Sequence, residues 1–124
     1  MSCLFCDRNF IDENVVEEDD YCYAIYDNYA VTEGHALIIP KEHVNDFLSL
    51  RSDKRTRLIG MVNKMKKRID EMFEPDGYNI GINMGQAAGQ TVPHLHIHLI
   101  PRYEGDMEDP RGGVRGVIPE KQKY

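Results

Sequence analysis

Residues 93 to 101 read Pro-His-Leu-His-Ile-His-Leu-Ile-Pro, and no other segment constrains the chain as strongly. Side chains alternate between the two faces of a β-strand. A strand over His94–Ile100, closed by Pro101, therefore sets His94, His96 and His98 on one face, about 7 Å apart. Leu95, Ile97 and Leu99 share the other face. The apolar face must be covered, and the imidazoles line an open face. Three of the chain's five histidines on one strand face is a costly arrangement if the rings protonate. It points to chemistry: a metal site, or phosphorus or acyl transfer, for which imidazole's two nitrogens and near-neutral pKa are suited.

The cover for the apolar face is a helix. Ser52 or Asp53 offers an N-cap, and Leu58, Val62, Met65, Ile69 and Met72 form one stripe over roughly twenty residues. Pro75-Asp76-Gly77 then turns the chain. Lys64, Lys66, Lys67 and Arg68 fall off the stripe and read as a solvated outer face. Further strands are read at Asn14–Glu17, Tyr21–Asp27, Ala36–Ile39 and Tyr78–Met84. Strands flanking one long helix, with few β-α-β signals, predict an α+β fold with a mainly antiparallel sheet. The 124 residues make a single domain, with 104–124 a polar tail that is irregular unless it docks. Arg111 and Arg115 in that tail serve solubility or contact a substrate's phosphates.

Fifteen Lys and Arg stand against twenty-one Asp and Glu, a net charge of −6. That disfavours nucleic acid and membrane surfaces, both polyanionic, as partners. One small anion held by local donors remains open to it. No apolar run is long enough to span a bilayer. The first ten residues carry no leader pattern, and three cysteines are too few for a disulfide scaffold. A soluble, cytoplasmic protein is the expectation. Just before the histidines, Gly85 to Thr91 supplies small residues, backbone N–H groups, an amide and a hydroxyl, the makings of a phosphate loop.

At this point the chain resembles the histidine triad (HIT) proteins. The resemblance rests on GQTVPHLHIHLIPR from Gly89 to Arg102, CLFC at the start, Asp27, GHALIIPKEHV from Gly34 to Val44, and GYNIGINMG from Gly77 to Gly85. It implies a five-stranded sheet with one long and one short helix, and sheets joined across a homodimer. It also implies a nucleotide hydrolase or transferase acting on purine nucleoside 5′-phosphoramidates or dinucleoside polyphosphates. His96 is then the nucleophile at the α-phosphorus, with its other ring nitrogen donating to a fixed acceptor such as a backbone carbonyl. His98 sits by the phosphate oxygens or leaving group, and His35 positions His98. Asn83, Gln90 and Thr91 bond the phosphates of an AMP-type substrate. Asp27 takes the ribose hydroxyls, and Leu4, Phe5 and Ile25 form a slot for the base.

Cys3-Leu4-Phe5-Cys6 alone is a redox pair, half a zinc site or coincidence. Zinc needs two more ligands. Resemblance to the zinc-binding branch of the family implies Cys3, Cys6, His43 and His94 as one structural zinc site per subunit. Cys22 reads as a buried strand residue. Two other functions stay open: a metal-dependent hydrolase built on triad histidines, and a nucleotide-binding regulatory protein with vestigial catalysis.

Overall fold

The computed structural model describes residues 3–124; Met1 and Ser2, the first of the ten residues read as carrying no leader pattern, lie outside them. Five strands, β1 (Val15–Glu18), β2 (Cys22–Tyr26), β3 (Ala36–Pro40), β4 (Gly77–Gly81) and β5 (Ile97–Arg102), form one sheet in the order β1-β2-β3-β5-β4. Every neighbouring pair is antiparallel. With a short helix α1 (Arg8–Asn14) and a long helix α2 (Ser52–Phe73), this is the α+β class read from the sequence.

α1 starts where the Asp7 carboxylate accepts the Asn9 N–H (2.9 Å), satisfying one of the free donors of the first turn. The cap of α2 falls one residue before the first one expected, Ser52. Arg51 occupies the cap position without a side-chain bond, and its guanidinium instead pairs with Asp53 in the first turn. Glu74, in the left-handed region at φ 51°, ends the helix. Just before β3, Gly34 turns at φ 90° with the Phe73 ring 2.9 Å from where a Cβ would stand, so the helix end packs directly on this turn.

The buried stripe of α2 is Leu58, Met61, Val62, Met65 and Ile69. Met72 is 58 % exposed, contrary to expectation. From Ile69 the next inward position is Phe73, four residues on, and Met72 is turned about 100° from it. The stripe packs on Cys22, Ala24, Ala36, Ile38, Leu95, Ile97 and Leu99. The opposite sheet face carries a second cluster of Phe5, Ile11, Tyr23, Ile25, Leu37 and Ile39, so the 3-10 turn at Leu4–Cys6 and α1 cover part of the face expected to be open. Cys22 is fully buried, and burial, with the Asp19 carboxylate adding to it, pushes its thiol up to about 12.

The ends of β1, β2 and β3 lie within one residue of the sequence reading, whereas β4 and β5 differ from it by more. β4 stops at Gly81 rather than Met84, and β5 starts at Ile97 and runs through Pro101 to Arg102. Proline is tolerated there because β3 pairs only as far as Leu99, so Pro101 has a single neighbour, Tyr78 of β4. His94 to His96 precede the strand, held by the Leu95 N–H on the Val44 carbonyl (2.7 Å), and Leu95 still reaches the core.

The outer face of α2 is solvated and paired: Lys64 and Arg68 meet Glu17, and Lys66 meets Asp70. The tail is more ordered than expected. It forms two 3-10 turns, Gly113–Val117 and Pro119–Lys121, clasped by Arg115, which donates to the Lys121 and Gln122 carbonyls and lies over the Tyr124 ring. Arg115 is thereby engaged within its own tail.

The stripe makes a quantitative contrast. Met65→Ala is expected to cost ~2–5 kcal/mol in denaturant unfolding, whereas Met72→Ala stays within ~0.5 kcal/mol of wild type. Equal losses would contradict the helix phase.

Candidate active site

The opening left beside the second apolar cluster is a cleft of about 300 Å³. Its apolar wall includes Leu4, Phe5, Phe10, Ile25 and Leu37, and its polar side includes Asp27, Asn83, Thr91, His96 and His98. A larger depression of about 440 Å³ lies between Asp76 and Pro110, with carboxylates and the Arg102–Asp106 pair but no histidine. An apolar wall facing converging polar groups makes the first the candidate functional cleft.

Strand alternation survives as a series of fixed rings. His94 is fully buried, His96 is 9 % exposed, and His98 stands beside His96 with ring centroids 5.2 Å apart. Their tautomers follow from their partners. His94 Nε2 is 2.8 Å from the Pro40 carbonyl, so it carries the proton and Nδ1 is left with a lone pair. His96 Nδ1 is 2.9 Å from the His94 carbonyl, so it donates there and Nε2 is free to act as a nucleophile or acceptor. The Val31 N–H donates to His35 Nδ1 (3.1 Å), which puts the His35 proton on Nε2. That N–H faces His98 Nδ1 at 3.0 Å, so His98 in turn carries its proton on Nε2.

Burial, then the neighbouring His96 and His35 rings, push His98 down to about 4, against the opposing pull of Asp27. Burial also lowers His35, again opposed by Asp27, whose Oδ2 is 3.5 Å away. At neutral pH His98 is thus an uncharged N–H donor. It can stabilise oxygen charge by hydrogen bonding, as a buried neutral imidazole does, but it brings no proton of low pKa.

Of the residues read from sequence, the fold brings Leu4, Phe5, Ile25, Asp27, Asn83, Thr91, His96 and His98 to one cleft. His35 lies behind His98. Gln90 is placed differently: its Oε1 accepts the Gly85 N–H (2.9 Å), so the amide braces the Gly85–Gln90 loop, and it is not among the cleft-lining residues. Phe10, Leu37 and Tyr29 join the lining without having been expected, since nothing in their local pattern marks them. The Pro40 carbonyl and the Val31 N–H are backbone groups with no residue-type signal at all.

Cys3, Cys6, His43 and His94 come together as read. Cys3 and Cys6 Sγ lie 3.3 and 3.4 Å from His94 Nδ1, and Cys6 Sγ lies 3.3 Å from His43 Nδ1. A tetrahedral zinc, with Zn–S of ~2.3 Å and Zn–N of ~2.0 Å, spaces sulfur and nitrogen about 3.5 Å apart, so the donor set fits. The Pro40 carbonyl supplies the outer partner that a ligating histidine requires. Burial and the Cys3 thiol beside it raise the Cys6 thiol, a tendency that a bound dication inverts. Asp27, His35 and His98 also converge. They suit a metal poorly, because His35 Nδ1 already accepts a hydrogen bond and Nε2 must keep its proton.

The tautomer chain is directly observable. Long-range ¹H–¹⁵N NMR should show His98 as the neutral Nε2–H form from pH 8 to pH 5, and protonation or the Nδ1–H form in that range would contradict it. Unfolded histidine gains its proton near pH 6.5 and folded His98 only near 4, so its contribution to stability is whole above about 6.5 and is lost as pH falls through about 4. Urea midpoints of His98→Gln should fall less steeply over that window than those of wild type.

Comparison with known proteins agrees with this geometry. The HIT domain family matches residues 8–105. An uncharacterized HIT-like protein of Methanocaldococcus jannaschii is 39% identical over 120 residues, covering 93% of this chain and 91% of that one. A Zn-bound histidine triad family protein from Mycobacterium smegmatis superposes with a TM-score of 0.76 at 33% identity, covering 88% of this chain and 81% of that one. The asymmetrical bis(5′-nucleosyl)-tetraphosphatase of Schizosaccharomyces pombe is 39% identical over 79 residues, which span 64% of this chain and 43% of that enzyme. The match across residues 8–105, together with the three fixed rings before and within β5, establishes that the chain belongs to the HIT family.

Proposed function

We propose that the protein is a nucleotidyl hydrolase that cleaves the α-phosphorus bond of dinucleoside polyphosphates or purine nucleoside 5′-phosphoramidates through a nucleotidyl intermediate on His96. The observation that carries this reading is the His96 ring. Its Nδ1 is tied to the His94 carbonyl, and its Nε2 is free beside a cleft with a polar and an apolar side. The tetraphosphatase relative supports the polyphosphate branch.

In the first step the Nε2 lone pair of His96 forms a bond to the α-phosphorus, and the bond to the leaving group breaks, its electron pair departing with that group. In the second, water attacks the same phosphorus, the N–P bond returns its pair to Nε2, and a nucleoside monophosphate and a proton are released. His98 donates its Nε2–H to a phosphoryl oxygen throughout. Asn83 and Thr91 bond the phosphates, Gln90 holds their loop in shape, and Asp27 accepts from the ribose hydroxyls. Leu4, Phe5 and Ile25 flank the base. His35 positions His98.

Zinc in the Cys3, Cys6, His43 and His94 set is structural in this reading, one per subunit, and leaves His96 free for chemistry. The enzyme works as a homodimer in the cytoplasm. The outer edge of β4, with Ile80 exposed beside it, supports pairing with a second copy. Among the described residues no helix is long and apolar enough to cross a membrane.

The test is turnover of diadenosine tetraphosphate and adenosine phosphoramidate by wild type and His96→Asn. The variant should lose roughly a thousandfold or more in kcat while AMP affinity falls little, since Asp27, Asn83 and Thr91 remain. Retention of more than about a tenth of kcat, a barrier change of only ~1.4 kcal/mol, would overturn the assignment. AMP binding without turnover by wild type would favour the vestigial, regulatory alternative.

A further inference from the structure

The metal set and the cleft are built from the same pieces of chain. Leu4 and Phe5 lie between the cysteines Cys3 and Cys6, and both line the cleft. The turn that carries them is tight: the Cys6 N–H donates to the Cys3 carbonyl and the Asp7 N–H to the Leu4 carbonyl, each at 3.1 Å. Displacing either sulfur therefore displaces the cleft wall. Phe5 is 4 % exposed, and its ring meets His96 at 5.2 Å and 74° and His94 at 5.9 Å and 85°. Its carbonyl accepts the hydroxyl of fully buried Tyr23 at 2.6 Å.

The second connection is His94. Its ring presents Nδ1 to both sulfurs, while its own carbonyl oxygen holds the Nδ1–H of His96. One residue thus joins the metal set to the group that attacks phosphorus, and one turn joins it to the wall beside the base.

From this we infer that zinc in the Cys3, Cys6, His43 and His94 set and a nucleoside 5′-monophosphate in the cleft bind cooperatively, each tightening the other through the Leu4–Phe5 turn and His94. The inference rests on the nucleotide reading of the cleft given above. Phe5 is the positioning residue. With its flanking cysteines held by the cation, its ring is fixed against His96; a base packed on that ring in turn holds the cysteines in place. Coupling between two sites is reciprocal at equilibrium and typically changes each affinity by a factor of ~5 to 150.

The experiment measures zinc affinity by equilibrium competition with a chelator of known affinity, on protein first loaded with zinc, with and without saturating AMP. AMP binding to the loaded protein is titrated in parallel. Wild type should hold zinc roughly fivefold or more tightly with AMP bound. Phe5→Ala, at AMP concentrations that saturate it, should bring that factor close to one. If the metal merely kept the whole chain folded, AMP would still raise zinc affinity in Phe5→Ala, and that result would overturn the local coupling. AMP that binds wild type without changing its zinc affinity would also overturn it, while leaving the nucleotide reading intact. Failure of AMP to bind the loaded protein would overturn both.

Discussion

The hydrogen bond from His96 Nδ1 to the His94 carbonyl, 2.9 Å long and buried, is the contact on which the rest of the site depends. An imidazole free to choose its tautomer presents a lone pair to the cleft only part of the time. Pinned by a carbonyl two residues back, the neutral ring presents Nε2 alone. That carbonyl is itself immobile because the His94 ring is tied at its far side to Pro40 and the next residue, Leu95, is both core and backbone-bonded to Val44. The sheet, the helix stripe and the metal set therefore converge on the orientation of one ring.

A second chain of hydrogen bonds has the opposite character. Val31, His35 and His98 pass a fixed donor direction from a loop N–H into the cleft, and burial keeps His98 uncharged. An acidic chain can thus hold an anion without a cluster of arginines: neutral N–H donors and a loop of small residues supply hydrogen bonds, and Asp27 stands close to His35 and His98 without charging them.

Much of this was legible in the sequence because strand alternation is a strict rule. Leu95, Ile97 and Leu99 did face the helix, and His96 and His98 did face the cleft, while His94 is buried beside Cys3 and Cys6. The strand's ends were not legible, because Pro101 is permitted by where β3 stops, a fact of the neighbouring strand. The helix stripe drifted for a similar reason: Met72 and Phe73 are both apolar, and only the packing against Tyr26 and the Gly34 turn selects Phe73. Residue type carried the metal set and most of the cleft through family resemblance. The setting of Gln90 was not legible, since an amide beside a glycine loop serves equally to bind an anion or to brace the loop, and here its oxygen accepts the Gly85 N–H. Backbone groups such as the Pro40 carbonyl leave no trace in residue type.

The central claim is that phosphorus is attacked twice in succession, first by His96 and then by water. Stereochemistry at the α-phosphorus reads this directly. A dinucleoside polyphosphate made chiral at that atom with sulfur is hydrolysed in ¹⁸O-labelled water, and the configuration of the product phosphorothioate is determined by ³¹P NMR. Two in-line displacements each invert the centre, so the account predicts net retention. Net inversion, the mark of a single direct attack by water, would contradict it.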